Sequence, residues 1–294
     1  MLLNLIKIVF FLLRKVDRKT ALKLSKVIGF TLYITNYRKS VVEKNLQIAF
    51  PDKDQKWRDY IRKKCMENIG RVLVEFPKQP DYVKSGNIKN IVIFEKGLEE
   101  IKKEKNGAII TTAHLSNWEM AGAGLASYIP GLVSLAYRQN NKDINQLITQ
   151  IRNDSGIDII FHDQPLKKMV QILQEGKFLG ILVDQNALKH RGYFVDFFGL
   201  KASTVNLPAK LAVKFKKPIY FLYIYFDEKK QVYFLNVEKL SYPEGKTEEE
   251  TTYNIVKAYT KAVEEAVKKH PDQYLWVHKR WKTREDEEVE KIYD

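Results

Sequence analysis

From about residue 88 onward this chain alternates short apolar runs with longer amphipathic ones, and that alternation fixes the class of fold open to it. Runs of strand length fall at 88–94, 107–113, 132–137, 157–161, 178–183, 218–226 and 231–237. Between several of them lie stretches with apolar residues at helical spacing, at 97–104, 118–128, 141–154, 165–175 and 204–216, and a charged helical run follows at 249–269. Near-continuous apolar strands are buried on both faces, and interposed helices are what cover those faces. The pattern predicts an α/β fold with a mixed, largely parallel sheet flanked by helices. Residues 1–80 read differently. Segments 20–34, 38–49 and 54–76 have helical apolar spacing, with Pro51 and Pro77 as punctuation. The expected organisation is a helical N-terminal portion over 1–80 and an α/β core over 81–294, together one globular unit.

Charge is concentrated in the helical portion. Residues 1–70 hold 16 Lys or Arg against 6 Asp or Glu, and the other 224 residues contribute only +4 of the net +14. A basic block of this kind seeks a polyanion: nucleic acid, an anionic membrane surface or an acidic protein. It coincides with an almost wholly apolar run over residues 2–13, in which Asn4, Lys7, Arg14 and Arg18 fall on one helical stripe interrupted by Phe11. Twelve helical residues span about 18 Å, short of a hydrocarbon core of roughly 30 Å. The expectation is a helix lying in the membrane interface, its basic residues at headgroup level. A signal peptide fits less well, because no small-residue cleavage site follows and the basic residues come after the apolar run. Burial of this helix against its own domain is the plainer alternative. The single cysteine, Cys65, excludes an internal disulfide framework and a cysteine-based metal cluster.

The run Thr111-Thr112-Ala113-His114-Leu115-Ser116-Asn117-Trp118-Glu119 follows one of the apolar strand candidates. A histidine held by a carboxylate is a ready general base, since the free imidazole titrates at about pH 6.5. On one continuous helix His114 and Glu119 would lie about 140° apart and would not meet. They meet if His114 ends a strand or loop and Glu119 lies in the first turn of the next helix. Ser116-x-x-Glu119 has the form of a capping box and marks such a start. The same pattern is also satisfied by a merely capping glutamate beside a buried structural histidine.

Arg138 ends the strand candidate 132–137, and Asp184-Gln185-Asn186 end the candidate 178–183. Polar residues at such strand ends face the crevice where α/β sheets bind ligands. An arginine there suits a phosphate or a developing negative charge. The segment from Phe194 to Gly199 is an aromatic loop, suited either to an acyl pocket or to core packing. Residues 276–284 interleave Trp276 and Trp281 with His278, Lys279, Arg280, Lys282 and Arg284. That mixture suits a lipid headgroup interface or single-stranded nucleic acid, or simply a partly buried terminal strand. Gly-x-Ser-x-Gly and Walker A motifs are absent, and Gly122-x-Gly124 lacks the rest of a dinucleotide fingerprint. His162, His190 and His270 show no ligand spacing, so no metal and no cofactor are expected.

Taken together, these residues resemble the late lauroyl/myristoyl acyltransferases of lipid A biosynthesis, within the glycerolipid-type acyltransferases that carry an H-x-x-x-x-D/E motif. His114-Leu-Ser-Asn-Trp-Glu119 looks like the family's catalytic box. Leu135-Ala-Tyr-Arg138, Leu182-Val-Asp-Gln185, Phe197-Phe-Gly199 and Trp276 to Arg284 resemble its later blocks, in order, over about residues 1–285. The resemblance implies transfer of a fatty acyl chain from an acyl carrier protein thioester to a hydroxyl of a Kdo-bearing, phosphorylated lipid A precursor. His114 is then the general base and Glu119 orients it. The candidate substrate-binding set is Asn117, Arg138, Asp184, Gln185, Lys279 and Arg280. Expected partners are the carrier protein, the glycolipid and an anionic membrane surface, not nucleic acid, and the expected location is the cytoplasmic face of the inner membrane. Family members of this kind usually carry an N-terminal transmembrane segment, whereas here the apolar run is short and interrupted by Lys7. Acyl transfer to another glycolipid or a lysophospholipid is the alternative within the class. A non-catalytic membrane-surface lipid or nucleic-acid binding protein is the alternative outside it.

Overall fold

A computed structural model describes residues 2–286 and 291–293. The N-terminal helices are α1 (Leu2–Lys15), α2 (Arg18–Ile34), α3 (Lys39–Ala49) and α4 (Gln55–Glu75), followed by the short α5 (Gln79–Lys84) and α6 (Ile88–Ile91). The alternating part then runs β1 (Val92–Lys96), α7 (Leu98–Lys103), β2 (Ala108–Thr112), α8 (Trp118–Ala126), β3 (Leu132–Ala136), α9 (Lys142–Asp154), β4 (Asp158–Phe161), α10 (Leu166–Gln174) and β5 (Phe178–Leu182). A hairpin of β6 (Gly192–Phe197) and β7 (Leu200–Val205) precedes α11 (Leu207–Phe215), β8 (Ile219–Asp227), β9 (Val232–Lys239) and α12 (Glu248–Lys269).

The seven-stranded sheet has the order β1-β9-β8-β2-β5-β3-β4. Every neighbouring pair is parallel except β8 with β9, which a tight turn joins as an antiparallel hairpin. The mixed, largely parallel sheet expected from the alternation is therefore the one observed. The central strand β2 is buried on both faces, as a parallel strand between helix layers must be. Ile109 joins the core layer containing α12, while Ala108 and Ile110 join the layer containing α8.

Two stretches depart from expectation. Residues 88–91 form a helical turn, so the first strand begins at Val92. Residues 192–205 form a hairpin where an aromatic loop and the start of a helix were expected. Its two turn residues, Phe198 and Gly199, have φ of 55° and 76°, the left-handed pair that a two-residue hairpin turn requires. A phenylalanine in the first turn position hides that signal from sequence.

The N-terminal helices reach into the rest of the chain. Asn68 on α4 donates to the carbonyls of Ser116 (2.8 Å) and Gln273 (3.1 Å). Asn45 on α3 donates to those of Trp276 (2.6 Å) and His278 (2.8 Å). On α1 and α2, Leu5, Ile8, Phe11, Leu12, Val27, Phe30 and Ile34 are exposed. Among the described residues no helix is long and apolar enough to cross a membrane. The expected basic stripe is partly drawn inward. Arg14 bonds Asp81 at 2.8 Å in an exposed pair, and Arg18 bonds the buried Glu75 at 2.9 Å, since that carboxylate, out of water, demands a countercharge.

Helices α2 and α4 approach closely through Gly29 and Gly70. A Cβ on Gly70 would fall 2.2 Å from the Ser25 carbonyl oxygen. Backbone cannot yield there as a side chain would. Gly70→Ala is expected to destabilise the fold by about 1–3 kcal/mol, as overpacking does, read as a lower thermal midpoint in calorimetry. An unchanged midpoint would contradict this packing.

Candidate active site

Strand β2 ends at Thr112 and β5 ends at Leu182, and these two residues are directly paired. Two residues beyond each lie His114 and Asp184. The ladder thus delivers an imidazole and a carboxylate to the same end of the sheet. The Asp184 carboxylate accepts from His114 Nδ1 at 2.9 Å and from the His114 backbone N–H at 3.1 Å. Its side chain is 2% exposed, against 16% for the histidine. Burial pushes the Asp184 carboxyl upward, but the His114 ring and amide outweigh it and hold the group below the ordinary carboxylate range. A carboxylate only accepts, so in the neutral ring Nδ1 carries the proton and Nε2 presents the lone pair. The Gln185 amide nitrogen lies 3.4 Å from that Nε2. Trp118 packs edge-on against the imidazole at 4.8 Å between centroids.

The partner of His114 is therefore Asp184, and Glu119 is placed elsewhere. The Glu119 carboxylate forms a two-bond pair with Arg152 of α9, at 2.6 and 3.0 Å. The expected Ser116 cap also differs. Ser116 has φ of 53°, its hydroxyl is buried without a partner among the described residues, and Asn117 caps α8 instead, accepting from Met120 N at 3.1 Å. Starting the helix one residue later turns Glu119 toward α9.

Asn117 is buried as the α8 cap. Arg138 lies past the end of β3, half-exposed, paired with Asp163 at 2.7 Å and stacked over Phe161 at 3.9 Å. Arg280 is not available to a phosphate. It is 3% exposed, donates to the Ser203 carbonyl at 2.7 Å and to Thr204 Oγ1, and packs over Phe197. Lys279 lies over the Tyr293 ring at 5.7 Å. The segment 276–284 is not a strand but a series of turns wrapped over the site. Its His278 accepts the Asn186 N–H on Nε2 at 3.1 Å, and burial pushes its imidazole down to about 4. Asp184 and Gln185 are marked in the sequence but not their pairing with His114; Arg152 and Asn68 carry no such mark, and His278 stands there only as one member of the cationic 276–284 segment. Equal overhang past the two strands is the signal for the pairing, legible only once β2 and β5 are known to be neighbours.

The arrangement is a histidine held by a buried carboxylate, with no serine or cysteine nucleophile at hydrogen-bond distance from it among the described residues. A family model described as bacterial lipid A biosynthesis acyltransferase matches residues 1–283. The chain is 24% identical over 249 residues to lipid A biosynthesis acyltransferase 2 of Shigella flexneri, covering 84% of this chain and 78% of the relative. It is 24% identical over 262 residues to the lipid A biosynthesis palmitoleoyltransferase of Escherichia coli K12, covering 84% and 79%. A 22% identical stretch of 125 residues matches a phosphatidylinositol mannoside acyltransferase of Mycolicibacterium smegmatis, 41% of each chain. Among solved structures, a 1-acyl-sn-glycerophosphate acyltransferase of Thermotoga maritima aligns over 86% of this chain and 97% of its own, with 17% identity and a TM-score of 0.37.

Two variants separate the two carboxylates. Asp184→Asn is expected to cut turnover by about 10³-fold or more, as loss of an orienting carboxylate does. Glu119→Gln is expected to destabilise the fold by about 1–3 kcal/mol by stranding Arg152. Wild-type turnover in Asp184→Asn would remove the aspartate from the reaction. His278 sets a pH dependence of stability. Its folded value of about 4 lies below the ordinary 6.5, so the unfolded chain binds the proton first and stability falls as pH drops from 6.5 to 4. The loss is roughly 3 kcal/mol by linkage. His278→Gln keeps an acceptor for Asn186 and is expected to flatten that part of the pH–stability curve; an unchanged slope would contradict it.

Proposed function

Because the chain belongs to the bacterial lipid A biosynthesis acyltransferase family, we propose that it moves a fatty acyl chain from an acyl carrier protein thioester to a hydroxyl of a Kdo-bearing, phosphorylated lipid A precursor. The observation that carries this reading is the His114–Asp184 pair, with Nε2 on the side of the ring away from the carboxylate, in a chain matched by the family over nearly its whole length. His114 Nε2 takes the proton of the acceptor hydroxyl while the oxygen attacks the thioester carbonyl. The carbon–oxygen bond forms, the carbon–sulfur bond breaks, and the leaving thiolate takes the proton back from the imidazolium. Asp184 keeps the proton on Nδ1 and stabilises the imidazolium that forms, the part a carboxylate plays in a hydrolase triad. The acceptor is itself the nucleophile, so no acyl-enzyme is required. Gln185 lies beside the reacting nitrogen, where the incoming hydroxyl must be oriented. The Glu119–Arg152 pair acts one step out, fixing α8 against α9.

The reading extends to place. The exposed apolar side chains of α1 and α2 lie beside a strongly basic stretch of sequence, and together they suit the cytoplasmic surface of an inner membrane containing anionic lipid. The chain would lie on that surface. The basic stretch also suits an acidic carrier protein.

The test is a transfer assay with mixed acyl carrier protein thioesters and a tetra-acylated Kdo-lipid A precursor, read by mass spectrometry. One acyl chain is expected to be added by the wild type and none by His114→Ala. Near-normal turnover in His114→Ala would overturn the base assignment. Transfer only to mannosylated phosphoinositides or lysophospholipids would move the acceptor within the class. Phe11→Asp with Val27→Asp is expected to lower binding to phosphatidylglycerol vesicles severalfold in flotation, as loss of buried apolar area does; unchanged binding would contradict this docking face.

A further inference from the structure

Behind the His114 loop lies a buried polar cluster that the chemistry above does not use. At its centre is Glu75, the last residue of α4, whose side chain is 0% exposed. Three donors converge on its two oxygens. Arg18 Nε reaches Oε1 at 2.9 Å, while the Tyr233 hydroxyl and Asn117 Nδ2, the latter at 3.4 Å, reach Oε2. Asn117 Nδ2 also lies 3.3 Å from the Tyr233 hydroxyl. Burial, with the Glu75 carboxylate beside it, pushes the Tyr233 phenol far above its ordinary value, so it stays a donor. With its amide nitrogen so occupied, Asn117 turns its oxygen to Met120 N, which caps α8.

The loop that Asn117 closes is strained. Ser116 holds φ of 53° without being glycine, a conformation that persists only where the surroundings over-determine it. Those surroundings are explicit. Asn68 holds the Ser116 carbonyl, the Gln273 carbonyl holds the Ser116 N–H at 2.7 Å, and Leu275 N–H holds the His114 carbonyl at 3.0 Å. Glu75 fixes the remaining end. It also fastens the first residue of α2, so one carboxylate ties the corner between the exposed apolar helix and the catalytic loop.

We propose that Glu75 is a positioning residue for acyl transfer, holding Asn117 and through it the strained loop in the geometry that aims His114 at the reacting groups. This rests on the reading of His114 as the base. A glutamine at position 75 offers one acceptor where the site presents donors on both sides, so either Arg18 or the Asn117–Tyr233 pair meets an amide N–H instead of an oxygen. The loop then loses its fixed end, and with it the aim of His114, while Gln185, on the separate segment after β5, is not touched by the change.

The experiment measures transfer by Glu75→Gln beside wild type, His114→Ala and Val263→Ala, the last a core truncation on α12. The expected result for Glu75→Gln is a fall in kcat of about tenfold or more with KM for both substrates within about twofold. Val263→Ala, with a comparable loss of thermal midpoint, keeps its kcat. Should Glu75→Gln not fold, Tyr233→Phe removes one of the three donors with little change of volume and is expected to lower kcat in the same way. Wild-type kcat in the folded variant, or a loss no greater than that of Val263→Ala, would overturn the proposal. Transfer retained by His114→Ala would instead overturn the reading beneath it.

Discussion

The parallel pairing of β2 with β5 is the constraint on which the site depends. Thr112 opposite Leu182 sets His114 opposite Asp184 two residues further on. Neither strand is free to slide, because both are buried on two faces and a one-residue slip would send each side chain to the wrong layer. A soft contact between an imidazole and a carboxylate is thereby made as rigid as the core. The doubled hydrogen bond from ring and backbone to one buried aspartate leaves the imidazole a single orientation.

The helices before the sheet complete what the strands begin. The loop after β2 must turn sharply to expose His114 and then enter α8, and it does so through a left-handed serine. Asn68 and Glu75 of α4 and the carbonyl of Gln273 hold that turn from different elements. The C-terminal segment closes over the same end of the sheet, pinned by Arg280 and by the neutral His278. The N-terminal helices thus help to build the end of the sheet that carries His114 and also bear an exposed apolar face.

Much of this was legible in the chain and some of it was not, for definite reasons. Alternating apolar and amphipathic runs announced the strands and helices, since burial on two faces leaves a direct mark on composition. His114, Asp184 and Gln185 stood out as polar residues at the ends of apolar runs. Their mutual contact did not, because strand order is a property of the whole sheet and β2 and β5 are separated by three helices and two strands. Glu119 was read as the partner of His114 because it is near in sequence, yet Arg152 on α9 claims it. Arg280 sat among other cations and read as a phosphate ligand, whereas its neighbours are buried carbonyls. A signature of charge says little about direction when one of its members, Arg280, is turned into the core.

The most direct test of the central claim is the protonation state of one ring. Two-dimensional proton–nitrogen NMR of protein labelled with [¹⁵N]histidine, near neutral pH, reports which nitrogen of His114 carries the proton. The neutral ring is expected to carry its proton on Nδ1, toward Asp184, with the Nε2 signal that of an unprotonated nitrogen. A ring protonated on Nε2, or one whose Nδ1 signal is unchanged in Asp184→Asn, would contradict it.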